Sequence, residues 1–532
     1  MVPERWKQGV NVMIEKKKGN NQVEAMRTIV LFEPDFNFLN KFVGRKLMLA
    51  AEGNKQLARE QYGSRKNHRA IFHAVNKVLT YDILRQKRSP GALCSSDLKS
   101  CYDRIVLSVA SLCMQRSGLQ EPVIIAMFQT IQELKHYIRT AFGDSETYFG
   151  GKYWLLGLDK PNHGVCQGNG GGPTIWAVVS TPALDIVRDA GFGIMLKSPI
   201  TKKIVHFSAY SFVDDTDSPQ TVTSEDDTIV DVLQKMQRGI DTWEGTLRAT
   251  GGLLVPEKSH WYLIDFAFRH DGTPFYVPFE GSTETLTVRD KEGNNVVITR
   301  LATNEARRTL GVRLAPDGNM TTEYENLVGV SNLWAKRAQS GNIPRHLAWQ
   351  NLHSVVLKQL SYALPATTIT EDQCTKILGP SLRAGLSTSG IVRTLPRDIV
   401  HGDTLFQGLG IPTLHSEQGW AHIDVLLRFG FSNNTIPGSL LRTSLEQLKL
   451  DAGLGGSLKD WKYEQVSTYV TPCWLTNTWE FLAKHALHIE EDTESLQLRR
   501  LNDQYLMEAF TKRGLTNLKL LNFCRFYLRV TT

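Results

Sequence analysis

Three aspartates carry the chemistry this sequence offers most directly. Asp97 lies in a short apolar stretch, residues 92–98, and the pair Asp214-Asp215 follows Tyr210-Ser211-Phe212-Val213. Both stretches read as strands, so two strands would deliver three carboxylates to one end of a sheet. Like charges that close cannot all ionise freely unless cations neutralise them. Magnesium suits such a pocket, being a hard ion that takes carboxylate oxygens together with substrate phosphates. Two such ions, about 3.5–4 Å apart, clamp the attacking and leaving oxygens of a phosphoryl transfer. Most Asp-Asp pairs are solvated or cap helices, and Asp226-Asp227 is expected at a helix N-terminus, where acids favour the dipole. Asp214-Asp215 differs in standing behind an apolar run, and a solvated acid needs no buried strand to aim it.

The elements around these acids follow from periodicity. Ile71, Val75, Val78 and Leu79 fit one helical face. Asp103 is placed to N-cap a helix whose inner face is Ile105, Val109, Leu112 and Cys113, with Gly118 as terminator. Further helices are expected over about 122–135 and over 175–187, the latter after a glycine-rich stretch, residues 150–172. Residues 204–213 read as one strand ending in the acidic pair. A helix is expected from Ser224, with Asp227 as capping-box partner and the stripe Ile229, Val232, Met236, Ile240, Trp243 and Leu247. Strand and turn signals fill 260–315, and helices 321–390. The class is α+β with a separate all-α module.

Bulk properties leave room for this reading without demanding it. The chain has 532 residues, a hydrophobic fraction of 41% and a charged fraction of 22%, which excludes a disordered protein. A net charge of +7 is a mild basic bias compatible with a polyanion. Seven cysteines are scattered without a CxxC pair or zinc-ligand spacing, as expected of reduced thiols. No signal-peptide stretch or membrane-length apolar run is seen, so a soluble intracellular protein, cytoplasmic or nuclear, is expected.

The order of segments resembles the reverse transcriptases. Ser96-Asp97-Leu98-Lys99-Ser100-Cys101-Tyr102-Asp103 resembles their motif A, and Gly164-Val165-Cys166-Gln167-Gly168 with the glycines up to Pro173 resembles motif B. Tyr210-Ser211-Phe212-Val213-Asp214-Asp215 is similar to motif C. Thr250-Gly251-Gly252 with Pro256-Glu257-Lys258 is similar to motif D, and Thr309-Leu310-Gly311-Val312 to the primer grip of motif E. Gly408-Leu409-Gly410-Ile411-Pro412 is similar to a segment of non-long-terminal-repeat, LINE-type retrotransposon enzymes. The resemblance covers about residues 25–320.

The resemblance implies a right-hand polymerase with fingers, antiparallel-sheet palm and helical thumb, and RNA-directed DNA synthesis. The domains it implies are 1–90 for an N-terminal extension and fingers, and 91–320 for the palm with a fingers insertion. A helical thumb and connection would fill 321–440, and a C-terminal helical region of unknown role 441–532. Asp97 and Asp214 would hold two Mg2+ ions, with Mn2+ able to substitute, the Leu98 carbonyl as a further ligand and Asp215 in support. Tyr102 would reject a 2′-hydroxyl by bulk. Gln167 and Gly168 would approach the incoming nucleotide, where glycine permits close backbone contact. Lys258 would neutralise or protonate the leaving pyrophosphate. Arg65, with Lys66 or Arg69, would grip the triphosphate, Arg27 being the weaker candidate. Leu310 and Gly311 would form the primer grip.

Several positions depart from the pattern. Cys166 stands where Pro or Arg usually precedes the Gln, Gly170–Gly172 add glycine, and Gln61-Tyr62-Gly63-Ser64-Arg65 lacks a second glycine. Val213 replaces a frequent Ala or Met. The implied partners are an RNA template, a DNA or RNA primer and dNTPs, with no membrane. The 96 residues before Asp97 are too few for the endonuclease of LINE-type elements. The stretch beyond 440 is short for ribonuclease H, and its run Glu490-Glu491-Asp492 reads as solvated. The chain therefore reads as a polymerase core, one fragment of a larger element. Two rival readings are an RNA-dependent RNA polymerase of the same palm class and a silent nucleic-acid-binding descendant.

Overall fold

The computed structural model describes residues 2–16, 18–20, 22, 26–99, 101–140, 142–150, 163–224, 227–278, 284–491, 494–498 and 500–532. Much of the glycine-rich stretch before Gly164, and Asp226 and Asp492, lie outside them.

A hairpin, β1 (Gln8–Glu15) and β2 (Met26–Phe32), leads into helices α1 (Pro34–Gly53) and α2 (Ala70–Lys87). Next come β3 (Gly91–Ser96), β4 (Lys135–Thr140) and α3 (Gly172–Asp189). A tight hairpin, β5 (Tyr210–Phe212) and β6 (Asp215–Thr221), precedes α4 (Ile229–Ala249). Strands β7 (His260–Ile264) and β8 (Thr299–Leu301) and the hairpin β9 (Arg307–Thr309) with β10 (Val312–Leu314) complete the mixed part. Beyond them the main elements are helices α5 (Thr321–Ser340), α6 (Glu371–Thr388), α7 (Leu414–Phe429), α8 (Ile436–Ala452) and α9 (Trp474–Lys484). The result is α+β, with several sheets and a helical second half.

The central sheet has the order β8-β7-β3-β6-β5. Alternation along its strands gives each face its own partner. Ala92, Cys94, Trp261 and Leu263 join the core formed with α3 and α4. Leu93, Tyr262 and Ile264 pack on Tyr81 and Leu84 of α2. Helix α4 buries Val232, Met236, Ile240, Trp243 and Leu247, the stripe expected from spacing. A second sheet contains β2, β1 and β4 in that order, with β4 parallel to β1.

Some local expectations fail for identifiable reasons. The α4 cap is Thr228, whose side chain accepts from Asp231 N–H in a reciprocal capping box. Asp227 instead accepts from the N–H groups of Thr223 and Ser224, closing the turn before the helix. Asp103 caps nothing: the chain makes one helical turn, Cys101–Arg104, breaks, and restarts at Leu107. That restart rotates the following helix, so Leu107, Ala110 and Met114 are buried while Leu112 is 67% exposed. The strand expected over 204–213 splits into Ile204–Phe207, paired with Ile194–Lys197, and β5. Glu491 is not solvated, since its buried carboxylate pairs with the equally buried Lys449 at 2.9 Å.

Helix α8 is one continuous element across residue 440 and is buried almost all round, which requires neighbours on every side. It packs along α2 and shares a core with Val75, Leu79, Val312 and Trp474. Asp82 of α2 accepts from Trp474 N–H at 2.6 Å at the start of α9. The C-terminal region therefore braces the helix that lies under the central sheet. All seven cysteines are free thiols. Among the described residues no helix is long and apolar enough to cross a membrane.

Candidate active site

The central sheet brings the three aspartates to neighbouring strand ends. Asp97 directly follows β3, and Asp214 and Asp215 lie at the β5–β6 turn, with β6 antiparallel to β3. The last pair of the hairpin is Phe212 with Asp215, leaving Val213 and Asp214 as the turn. Val213 has φ +60°, which a β-branched side chain avoids unless its surroundings hold it there. Both of its backbone polar groups are taken by the Gln61 amide, at 2.9 Å to N–H and 3.2 Å to the carbonyl. Trp176 Nε1 donates to the same carbonyl at 2.6 Å.

The acids lie in one another's field. Burial, and then the charge of Asp97, hold Asp214 above the usual carboxylate range, while Arg27 acts in the opposite sense. Desolvation at the foot of the hairpin, then Asp214, Asp217 and Asp97, push Asp215 up to about 6. Asp217 shares a face with Asp215 but points under α2, where it accepts from Lys77 at 3.0 Å and contacts His73 Nε2 at 2.8 Å. Burial alone would raise Asp217, yet Lys77 and His73 pull it well below the ordinary range. Lys77 also donates to Thr309 Oγ1 at 3.0 Å, tying the β5–β6 hairpin to the β9–β10 hairpin.

The donor set suits a divalent cation. Three carboxylates share the site, and the Lys258 ammonium already lies 2.9 Å from Asp97 Oδ2. Leu98 forms a bridge with Leu254, flanked by Lys99 N–H to Leu253 O and Val255 N–H to Asp97 O. The Leu98 carbonyl takes no part in that bridge. Among the described residues no three acid, His or Cys side chains form a ready-made cage. Magnesium does not require one, since one or two carboxylates and substrate phosphates complete its shell.

The remaining sequence-derived residues are placed as follows. Tyr102 is half-buried, beside Gly172 at the start of α3, where a Cβ would lie 3.5 Å from its ring. Gln167 N–H donates to Asp103 Oδ1 at 3.2 Å, which is the role of that acid here, and Gln167 O accepts from Val30 N–H at 2.8 Å. Gly168 has φ +108°, and a Cβ there would collide with the Val30 carbonyl. Its glycine is thus required by the protein's own β2. Leu310 (φ +46°) and Gly311 (φ +102°) form the β9–β10 turn. The Tyr362 hydroxyl donates to Leu310 O at 2.8 Å.

Arg65, expected to grip a triphosphate, is bonded within the protein. Its guanidinium pairs with Glu52 at 2.6 and 3.0 Å and donates to the carbonyls of Ala58 and Gln61 at 2.8 and 2.9 Å. Four of the five guanidinium N–H groups are thus engaged, and the side chain braces its own loop against α1. The exposed Arg27 on β2 and Lys16 at the end of β1 act on Asp214 and Asp103 through their charge. Arg27 was the weaker candidate because the sequence does not reveal that β2 turns toward the acids. Gln61, Trp176 and Lys77 carried no signal in the sequence at all, since their contacts are long-range.

No family model matches this chain, and no curated protein does. Among solved structures it is similar to apo telomerase from Candida tropicalis, with 13% identity and a TM-score of 0.36 over 83% of this chain and 70% of that one. Telomerase from Candida albicans in complex with a fragment of telomeric RNA gives 12% identity and a TM-score of 0.34, covering 81% of this chain and 64% of that one. The C. tropicalis enzyme truncated from its C-terminal domain gives 16% identity and a TM-score of 0.32, covering 54% and 53%. The chain thus spans about half of the length of that truncated structure. Scores this low do not establish a shared overall fold.

Proposed function

We propose that the chain is an RNA-directed DNA polymerase, a reverse transcriptase of the retrotransposon, LINE-like kind, transferring nucleotides from dNTPs to a primer 3′-hydroxyl. One observation carries the reading. Asp97, Asp214 and Asp215 are delivered by adjacent antiparallel strands to one sheet end, with cationic groups, Lys258 and Arg27, directed at them.

In this reading the central sheet is the palm, β1, β2 and β4 belong to the fingers, and α5–α7 to the thumb. Asp97, Asp214 and the Leu98 carbonyl would hold two Mg2+ ions, or Mn2+ in their place, with Asp215 supporting. Such ions, when bound, supply charge neutralisation at the attacking and leaving oxygens. The chain's own groups do the rest. Arg27 on β2, whose charge reaches Asp214, would offset triphosphate charge, the role expected of Arg65. Lys258, on a short helical turn beside Asp97, is within reach to neutralise or protonate the departing pyrophosphate. Tyr102, steadied by its backbone carbonyl accepting from Val165 N–H at 2.7 Å, would lie under the sugar and refuse a 2′-hydroxyl. The Leu310-Gly311 turn, fixed by Tyr362 and linked through Lys77 to Asp217, would hold the primer end against the same sheet.

The test is extension of oligo(dT) on poly(rA) with Mg2+, comparing dTTP with UTP and an RNA with a DNA template. Extension with dTTP on the RNA template supports the proposal. Preference for UTP would make the chain an RNA-dependent RNA polymerase, and nucleic-acid binding without extension would make it a silent descendant.

A further inference from the structure

We infer that Gln61, seconded by Trp176, is the positioning residue that fixes Asp214 for cation binding, an inference that rests on the polymerase reading above. The turn presenting Asp214 has two residues, and its first, Val213, sits at φ +60°. A β-branched residue left to itself would leave that region and take the following carboxylate with it.

One side chain prevents this. Gln61 is fully buried, and its Oε1 accepts from Val213 N–H at 2.9 Å and Gly63 N–H at 2.8 Å. Its Nε2 donates to the Val213 carbonyl at 3.2 Å and to Ser211 Oγ at 3.0 Å. The oxygen faces N–H donors and the nitrogen faces oxygens, so the amide's orientation is settled by its partners. It serves both polar groups of Val213, as a neighbouring strand would. The backbone reinforces it: Tyr62 N–H donates to Ser211 O at 2.7 Å, and Ser211 N–H to Glu60 O at 3.1 Å.

The segment 60–62 is therefore a parallel strand fragment beside β5, with Gln61 opposite Ser211. Gly63 continues it so closely that a Cβ would collide with Val213 N, which explains glycine there. Arg65, anchored to Glu52, holds the Gln61 carbonyl from behind. The chain Glu52–Arg65–Gln61–Val213 thus runs from α1 to the residue preceding Asp214. Trp176 supplies a second donor to the same carbonyl from α3. Gln61 has no solvent exposure and is bonded to protein groups, so it acts through Val213 and touches no reactant.

The experiment uses the full chain with Mn2+ as probe, free Mn2+ being counted by its electron paramagnetic resonance signal. The variants are Gln61→Met, which keeps volume and removes the amide, Trp176→Phe, which removes only the N–H, and Gln61→Met with Val213→Gly. Circular dichroism checks folding. Gln61→Met should weaken Mn2+ binding about tenfold and Trp176→Phe about threefold, the range expected for lost hydrogen bonds. The Mg2+ needed for half-maximal extension should rise in parallel, with KM for dNTP at saturating metal unchanged. Val213→Gly should restore much of the loss, because glycine adopts φ +60° freely. Wild-type Mn2+ affinity in folded Gln61→Met would overturn the inference, as would wild-type affinity in Trp176→Phe if the Gln61 variant does not fold. A wild-type chain that binds Mn2+ but never extends a primer would instead sink the polymerase reading, leaving the Mn2+ comparison to judge Gln61.

Discussion

Lys258 Nζ lies 2.9 Å from Asp97 Oδ2, joining a residue of the short turn after α4 to the acid at the end of β3. Both groups meet solvent, so the pair contributes at most about 1 kcal/mol to stability. In the proposed reaction the pair holds an ammonium where pyrophosphate would depart. Lys258→Ala should lower kcat about 10²-fold, the scale of lost general-acid catalysis. It should leave the melting temperature nearly unchanged and Mn2+ binding equal or tighter. A variant with full kcat would remove Lys258 from the mechanism.

Arg65 and Arg27 should separate cleanly. Arg65→Ala breaks a nearly enclosed pair with Glu52 and should cost about 2–3 kcal/mol of folding stability, since it strands a partner. Arg27→Ala, on an exposed strand position, should keep the melting temperature and raise KM for dNTP about tenfold, the loss of one charge-assisted contact. The reverse pattern, with Arg65→Ala stable but weak for dNTP, would return the triphosphate role to Arg65.

This pair also shows where the sequence was legible. Asp97, Asp214 and Asp215 could be read because the strand ahead of each acid is local, and the 3–4 spacing of α4 likewise foretold its buried face. The partner of Arg65 was not legible, because a basic run says nothing about Glu52, which α1 brings to it. The cap of α4 shifted by a few residues because Asp227, Thr228 and Asp231 stand close together and geometry alone chooses among them, whereas the Leu107–Arg116 helix starts at Val106 with no side-chain cap. Gln61, Trp176 and Lys77 act across more than 30 residues, so no local pattern announces them.

Asp215 gives a pH signature. Its carboxyl is raised in the folded chain from 3.8 to about 6, so the folded state holds a proton that the unfolded chain has released. The stability it contributes is complete below the unfolded value and is lost as pH rises through 6. Without divalent ions, Asp215→Asn should therefore melt higher than wild type at pH 8, with the gap closing toward pH 4. Thermal melts at the two pH values check this, and a gap that widens on acidification would contradict it.

Tyr102 should set sugar choice. Replacing it with Val opens the space beside Gly172 and should raise UTP incorporation relative to dTTP at least tenfold, since a hydroxyl refused by shape is no longer refused. Competition between the two nucleotides on one template measures it, and unchanged selectivity would make Tyr102 a plain packing residue.

The central claim is that the acids at the β3 and β5–β6 ends perform nucleotidyl transfer. Its most direct test is the extension rate of wild type, Asp214→Asn and Asp227→Asn on poly(rA)/oligo(dT) at saturating Mg2+. Asp227 is the control, an acid that closes the turn before α4. The account predicts extension by wild type and Asp227→Asn, and a fall of at least about 10³-fold in Asp214→Asn, the scale of lost metal-assisted charge stabilisation. Undiminished extension by Asp214→Asn would contradict it.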